Sequence, residues 1–274
     1  MRQALPVVAD VGARVSSTTQ VADAFFQTRL QVRDVSVEPG QFVQLRPRCL
    51  EGTYPYLRIP LSVSAVDTER GLVDVLYEVV GPKTSALRHV CVGDEVGFLG
   101  PLGNRFPEPA SDATPILVGG GIGVPPLIYF GTTLRTAERW DPILVVGARN
   151  AGKHLPDTLL EPASADVRRA TDDGSLGQAG LVTNLLTEAL EAGSAAPVVY
   201  TCGPHAMMAA VARLCAGRDV PCFASLEEYM ACGFGVCVGC VVERADKESQ
   251  PSPYGHYARV CVDGPIFDAR QIAW

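Results

Sequence analysis

Three cysteines crowd one short stretch near the end of the chain. Cys232, Cys237 and Cys240 stand at C-x4-C-x2-C spacing within Ser225-Leu226-Glu227-Glu228-Tyr229-Met230-Ala231-Cys232-Gly233-Phe234-Gly235-Val236-Cys237-Val238-Gly239-Cys240, and Cys261 follows after twenty further residues. Thiolates are soft metal ligands, and this spacing is the one by which a single tight loop delivers sulfurs to a [2Fe–2S] cluster. Gly233, Gly235 and Gly239 separate the cysteines. Glycine permits left-handed backbone angles and lets N–H groups approach the sulfides. A structural zinc site usually carries two C-x2-4-C pairs, whereas one C-x2-C is joined here to a C-x4-C and a lone fourth cysteine. A disulfide framework is typical of small secreted chains, and this one has 274 residues, 47% of them hydrophobic. The four cysteines are therefore expected to be cluster ligands.

A second chemistry is written in glycine. Pro115-Ile116-Leu117-Val118 reads as a buried strand, Gly119-Gly120-Gly121-Ile122-Gly123 follows it directly, and a helix is expected over about Pro126–Ala137. A glycine turn between a strand and a helix lets backbone N–H groups and the helix N-terminus approach a pyrophosphate. The pattern departs from G-x-G-x-x-G at Pro126, and Arg149 ends the second strand where an acidic residue is expected, so an ordinary Rossmann dehydrogenase is not supported. A second turn, Cys202-Gly203-Pro204, ends another strand and precedes a helix over His205–Ala216. Turns at the carboxyl ends of parallel strands share the edge where ligands bind.

The elements that must carry these turns change style along the chain. Residues 1–20 read as a first strand with a polar turn at Ser16–Thr19, and short strands follow at 25–32, 41–45, 61–66, 72–80 and 95–99. Each is bounded by Gly, Pro or Asp, the signature of an antiparallel β-barrel or sandwich. From about residue 112, strands at 143–146, 167–171 and 197–202 alternate with helices, one of them at about 183–191, which means a parallel sheet. The expected organisation is an antiparallel β-barrel over 1–109, an α/β parallel-sheet domain over 110–223 and a small cysteine domain over 224–274, with 243–256 as a surface loop.

Composition narrows the class. Net charge is −7 with 19% charged residues, and no Lys/Arg run suggests a nucleic-acid partner. No apolar run approaches the eighteen residues of a membrane span, and the first residues are too weakly patterned for a secretory signal. Nine cysteines in such a chain imply a reducing, cytoplasmic setting, with Cys49, Cys91, Cys202, Cys215 and Cys222 as free and mostly buried thiols.

The order of a β domain, then Gly-Gly-Gly-Ile-Gly and Cys-Gly-Pro, resembles the ferredoxin–NADP reductase superfamily. Within it, Ser225–Gly233 with Cys237, Cys240 and Val260–Phe267, the run Gly119–Leu127, and Thr171–Ser175 with Gly177 and Gly180–Thr183 resemble the electron-transfer subunit of class 1B dihydroorotate dehydrogenase. The resemblance implies FAD in the barrel, NAD in the second domain and a [2Fe–2S] cluster in the third. It also implies electron passage between NADH and the FMN of a separate dihydroorotate dehydrogenase catalytic subunit in pyrimidine biosynthesis, in a heterotetramer with two of each chain. A reductase subunit of a hydrogenase, an oxygenase or a ferredoxin:NADP transhydrogenase is the alternative.

For FAD the resemblance implies Arg58, Pro60, Leu61 and Ser62, then Tyr77, Val79, Gly81, Thr84 and Ser85. For NAD it implies Gly119, Gly120, Gly121 and Gly123 with Cys202, Gly203 and Pro204, Cys202 lying near the nicotinamide. No catalytic acid or base is expected, because the cofactor carries hydride chemistry. Two departures stand out. Ile59 occupies the usual place of the flavin-motif arginine, with Arg58 one residue away, and Lys83 stands where glycine is common. On a strand a one-residue shift turns a side chain to the other face.

Overall fold

The computed structural model describes residues 8–47, 57–193, 195–245 and 255–274. Cys49 and most of the 243–256 loop lie outside the described residues. Alternating apolar residues in the first third curl into a closed antiparallel barrel. Its strands are β1 (Ala9–Ala22), β2 (Phe25–Gln31), β3 (Phe42–Pro47), β4 (Ile59–Asp67), β5 (Leu72–Glu78) and β6 (Glu95–Leu102), in spatial order β1-β2-β5-β4-β3-β6. Leu30, Val43, Leu45, Val63, Val75 and Phe98 fill it and are wholly buried. Closure leaves no free sheet edge. The polar run Ser16–Thr19 is not a turn but the middle of β1. Its Thr residues suit a pleated surface, the Thr18 and Thr28 hydroxyls meet across strands at 3.2 Å, and register shifts at Val15/Ser17 and Gln20/Ala22 absorb the curvature.

After β5 the chain makes one short helix, α1 (Pro82–Leu87). The Thr84 hydroxyl accepts the Val80 and Gly81 N–H groups at 3.0 and 3.2 Å, which fixes the turn into it.

The second unit is a seven-stranded sheet. Its elements run β7 (Thr114–Gly120), α2 (Val124–Thr136), β8 (Ile143–Ala148), α3 (Asp157–Leu160), β9 (Asp166–Thr171), β10 (Gln178–Ala179), α4 (Val182–Glu191), β11 (Pro197–Cys202), α5 (His205–Ala216) and β12 (Cys222–Ser225). A two-stranded hairpin, β13 (Val241–Glu243) and β14 (Tyr257–Arg259), precedes the last strand, β15 (Ile266–Asp268). The sheet order is β10-β9-β8-β7-β11-β12-β15, parallel throughout except at the β12–β15 pair. Chain order reverses at β7, so a crevice opens between the ends of β7 and β11, the usual ligand position in open α/β sheets. Both glycine turns lie there.

The cysteine segment is tied into this sheet. A boundary at 223/224 falls inside β12, and β15 returns to pair with β12. The barrel is tied to the same segment, since Asn104 donates to the Ile266 carbonyl and accepts its N–H, both at 2.9 Å. Helix α2 also reaches the barrel, where the Tyr129 hydroxyl donates to the Val37 carbonyl at 2.7 Å. No helix among the described residues is long and apolar enough to cross a membrane.

Candidate functional site

The two glycine turns interlock. A methyl group at Gly123 would run into the Cys202 carbonyl, and one at Gly203 would sit 2.8 Å from the Gly120 carbonyl oxygen. Gly203 has φ +146 and Gly121 φ +53, both in the region that favours glycine. Gly119 packs under the Val124 and Leu127 side chains, whereas Gly123 and Gly203 act by letting backbones touch. Gly120, Gly121 and Pro204 instead face a cleft of about 530 Å³, shared with Arg149, Asp172 and Lys153. The carboxyl-edge placement expected from the sequence is what the topology delivers. Backbone groups at this edge suit a dinucleotide pyrophosphate.

Cys202 ends β11, wholly buried, beneath that cleft. Its thiol is 3.9 Å from the Glu227 carboxylate, towards which it donates. The pairing of Cys202 with Ser225 on β12 puts Glu227 just beyond the same sheet edge. Burial, then the Glu227 charge, pushes the Cys202 thiol well above its ordinary value. Glu227 opens surface into the cleft but is walled by protein elsewhere, and that desolvation raises its carboxyl. From the sequence alone, Glu227 and Glu228 read as a solvated face or a partner contact. The register of β12 against β11 is the signal that could have found it.

A second cavity of about 360 Å³ adjoins the first, and Glu78, Val80, Ile122 and Glu227 line both. Its barrel wall contains Pro60, Leu61, Ser62, Tyr77, Lys83 and Thr84. Tyr77 is mainly barrel packing. It is wholly buried, its hydroxyl meets Thr28 at 3.1 Å, its ring stacks on Phe26, and burial pushes it up to about 12. Val79, Gly81 and Ser85 lie beside the cavity rather than on its wall. At the seam, Lys153 pairs with Glu78 at 2.6 Å and its ammonium lies 5.4 Å from the Phe25 ring centre, which joins the sheet unit to the barrel. This clamp had no sequence signal.

The cysteine loop closes the other side. Gly233 and Gly235 have φ +79 and +88, as their type suggests, but Gly239 does not, and Val238 takes φ +56 instead. A β-branched residue there is a strained exception of the kind that clusters at functional sites. The β13–β14 hairpin returns the distant fourth cysteine. Val241 pairs with Arg259 and the Val260 N–H donates to the Cys240 carbonyl at 2.9 Å, so Cys261 arrives beside Cys240.

The thiols stand as two pairs. Cys232 and Cys237 have sulfurs 3.4 Å apart, and the Cys261 N–H donates to the Cys240 sulfur at 3.4 Å. Among the described residues no three such side chains already converge on one point. Burial opposes ionisation of Cys232, but N–H donors from Cys237, Phe234 and Val236 hold it down to about 6. Cys261 is pushed up to about 12 by burial and by Cys240, with Cys232 adding a smaller charge effect from the other pair. Four sulfurs in one neighbourhood, under a loop rich in N–H donors, fit the donor set of an iron–sulfur cluster. Of the remaining thiols, Cys202, Cys215 and Cys222 are free and buried as expected, but Cys91 is exposed because it sits in the turn before β6.

The model of the iron–sulfur cluster binding domain of dihydroorotate dehydrogenase B matches residues 227–273. The dihydroorotate dehydrogenase B (NAD(+)) electron transfer subunit of Desulforamulus reducens is 34% identical over 96% of this chain and 97% of its own length. That of Geobacillus thermodenitrificans is 36% identical over 94% and 96%. The chain belongs to the family of dihydroorotate dehydrogenase B electron transfer subunits. Among solved structures, an NADH-dependent reduced ferredoxin-NADP oxidoreductase superposes with TM-score 0.81 at 28% identity, covering 100% of this chain and 92% of that one. Phthalate dioxygenase reductase shares the fold at TM-score 0.64 and 17% identity, over 92% of this chain and 94% of that one.

One of the residues expected at the flavin stands apart from the second cavity. Arg58 does not reach the cavity. Its guanidinium pairs with Asp10 at 2.9 Å, and its other terminal nitrogen is buried near Gly97. Ile59, Leu61 and Val63 point into the barrel, so Arg58 shares the outer face with Pro60 and Ser62, but its side chain runs towards β1 and β6 instead of the cavity. Lys83 takes the cavity position, its ammonium donating to the Arg58 carbonyl at 3.1 Å, and desolvation alone lowers its pKa. A desolvated ammonium bonded to a carbonyl, beside the Ser62 and Thr84 hydroxyls, fits a phosphate-bearing cofactor.

Proposed function

We propose that this chain passes electrons between NAD(H) and the FMN-containing catalytic subunit of a dihydroorotate dehydrogenase through FAD and a [2Fe–2S] cluster. The membership at 34–36% identity over nearly the whole length carries this reading. The alternative reductase roles are not favoured, because the family model falls on the cysteine segment itself. NAD fits the glycine edge of the larger cleft. FAD fits the adjoining cavity, with Pro60, Leu61, Ser62 and Thr84 along it and Lys83 rather than Arg58 as the cation. Cys232, Cys237, Cys240 and Cys261 are the ligands we assign to the cluster.

When bound, a flavin can take two electrons as hydride and release them singly to a one-electron centre. The protein's own part is placement. The two cavities meet at Ile122 and Glu227, and the chain runs from Glu227, just past the end of β12, into the cysteine loop. Cys202 and Glu227 are positioning residues at the nicotinamide end. The outer face of the cysteine loop presents Phe234, Val236, Val238 and Val262, with Tyr229 almost fully exposed, a concentration of apolar surface suited to a partner protein. We assign the catalytic subunit to this face, in a cytoplasmic heterotetramer with two of each chain.

The test is the anaerobic visible spectrum of the purified chain before and after NADH. Flavin bands and a broad iron–sulfur absorbance, both bleached by NADH, are expected. A chain that stays colourless after cofactor reconstitution and contains zinc would overturn the reading.

A further inference from the structure

One polar side chain lies where the barrel meets the cysteine loop. On β3, Val43 and Leu45 point into the barrel core, and the alternate residue Phe42 packs with the apolar cluster that contains Cys240 and Cys261. Gln44 shares the Phe42 side of the strand. Its backbone pairs with Pro60 in the flavin segment and with Leu99. It is wholly buried, and neither its amide nitrogen nor its amide oxygen has a hydrogen-bond partner. Leaving such an amide unpaired carries the full cost of its desolvation, so a glutamine here is unfavourable unless a partner arrives. The amide nitrogen is its nearest atom to Gly233, so close that a methyl group at Gly233 would collide with it. Gly233 is the neighbour of Cys232. The donor therefore lies against the loop at its first cysteine, on the side that faces the flavin cavity.

We propose that the Gln44 amide donates a hydrogen bond to sulfur at the Cys232 corner of the cluster and raises its reduction potential. The inference rests on the four cysteines being the cluster ligands. Sulfur accepts N–H bonds, and such bonds favour the more negative, reduced cluster, which is how proteins tune these potentials. The placement gives the donor a purpose that barrel stability does not, since an apolar residue would fill the site without an unpaired amide. It also accounts for Gly233 in two ways, by its φ of +79 and by the room it leaves for the amide.

The test compares the holoprotein with Gln44→Met, which keeps length and removes the donor. Iron and sulfide content is measured first, and loss of both from the unaltered protein would overturn the cluster reading itself. With the cluster present in both proteins, the Met variant is expected to shift the reduction equilibrium about tenfold towards the oxidised state, about 59 mV lower for one electron, with flavin content unchanged. An unchanged cluster potential would overturn this inference and leave the cluster reading standing. If the Met variant does not assemble a cluster, the unaltered protein decides. Pulsed electron–nuclear resonance on the reduced cluster, with side-chain 15N-labelled glutamine, is expected to show a coupled amide nitrogen, and its absence would overturn the inference.

Discussion

The nucleotide edge and the cysteine loop are built on opposite plans. At the edge, backbone meets backbone. Gly123 sits against the Cys202 carbonyl, Gly203 against Gly120, and strands β7 and β11 lock both turns in one parallel ladder. At the loop, side chains do the work, and they stand apart in two thiol pairs with a buried amide unpaired beside them. The edge is complete without its ligand, whereas the loop holds donors and strained backbone that a bound cluster would satisfy. A site made of backbone can be preformed by the fold. A site made of thiolates is held together by what it binds.

The largest expected effect breaks the loop and spares the edge. Cys261→Ala should abolish the cluster, read as loss of iron and sulfide, while NADH still bleaches the flavin. Loss of flavin reduction as well would mean the two regions are not separable in this way. Next is Lys83→Gln, which tests the border between them. A charge-assisted bond to phosphate is worth about 1.5–3 kcal/mol, so FAD affinity should fall roughly tenfold to a hundredfold, and riboflavin, which carries no phosphate, should bind as before. The pH dependence follows in sign. Desolvation lowers the Lys83 ammonium from its ordinary 10.5, so charge is lost earlier as pH rises. FAD affinity should be flat below that lowered pKa and fall through it, and Lys83→Gln should remove the fall.

Gly123→Ala tests the edge alone. Overpacking against the Cys202 carbonyl should cost about 1–3 kcal/mol, seen as a lower denaturation midpoint with the cluster intact. The smallest effect is expected at Cys202→Ala, which should slow reduction by NADH several-fold without changing FAD content. Unchanged rates would remove the thiol from any positioning role.

The same contrast explains what the sequence revealed. Cysteine spacing and the two glycine turns were legible because each is local, fixed by a few consecutive residues and a strand on either side. The barrel and the parallel sheet were legible from punctuated short strands and from strand–helix alternation. Ser16–Thr19 misled because a run of hydroxyl residues suits a turn and a strand alike, and barrel closure decided for the strand. Arg58 could be suspected because Ile59 holds the usual arginine position, but the Asp10 pairing that holds it outside the cavity depends on a strand far away in sequence. Gln44 and the Lys153–Glu78 clamp gave no sign, since their meaning comes only from what the folded chain brings against them. Glu227 lay between these cases, hidden until β12 was set in register with β11.

The link between a dihydroorotate dehydrogenase and NAD is the activity to measure first. Its most direct measurement is anaerobic mixing of the reconstituted chain with an FMN-containing catalytic subunit, dihydroorotate and NAD+, followed by NADH absorbance. NADH formation that needs both chains, and that stops with Cys261→Ala, is the expected result. Two fully loaded chains that form no NADH together would contradict the account.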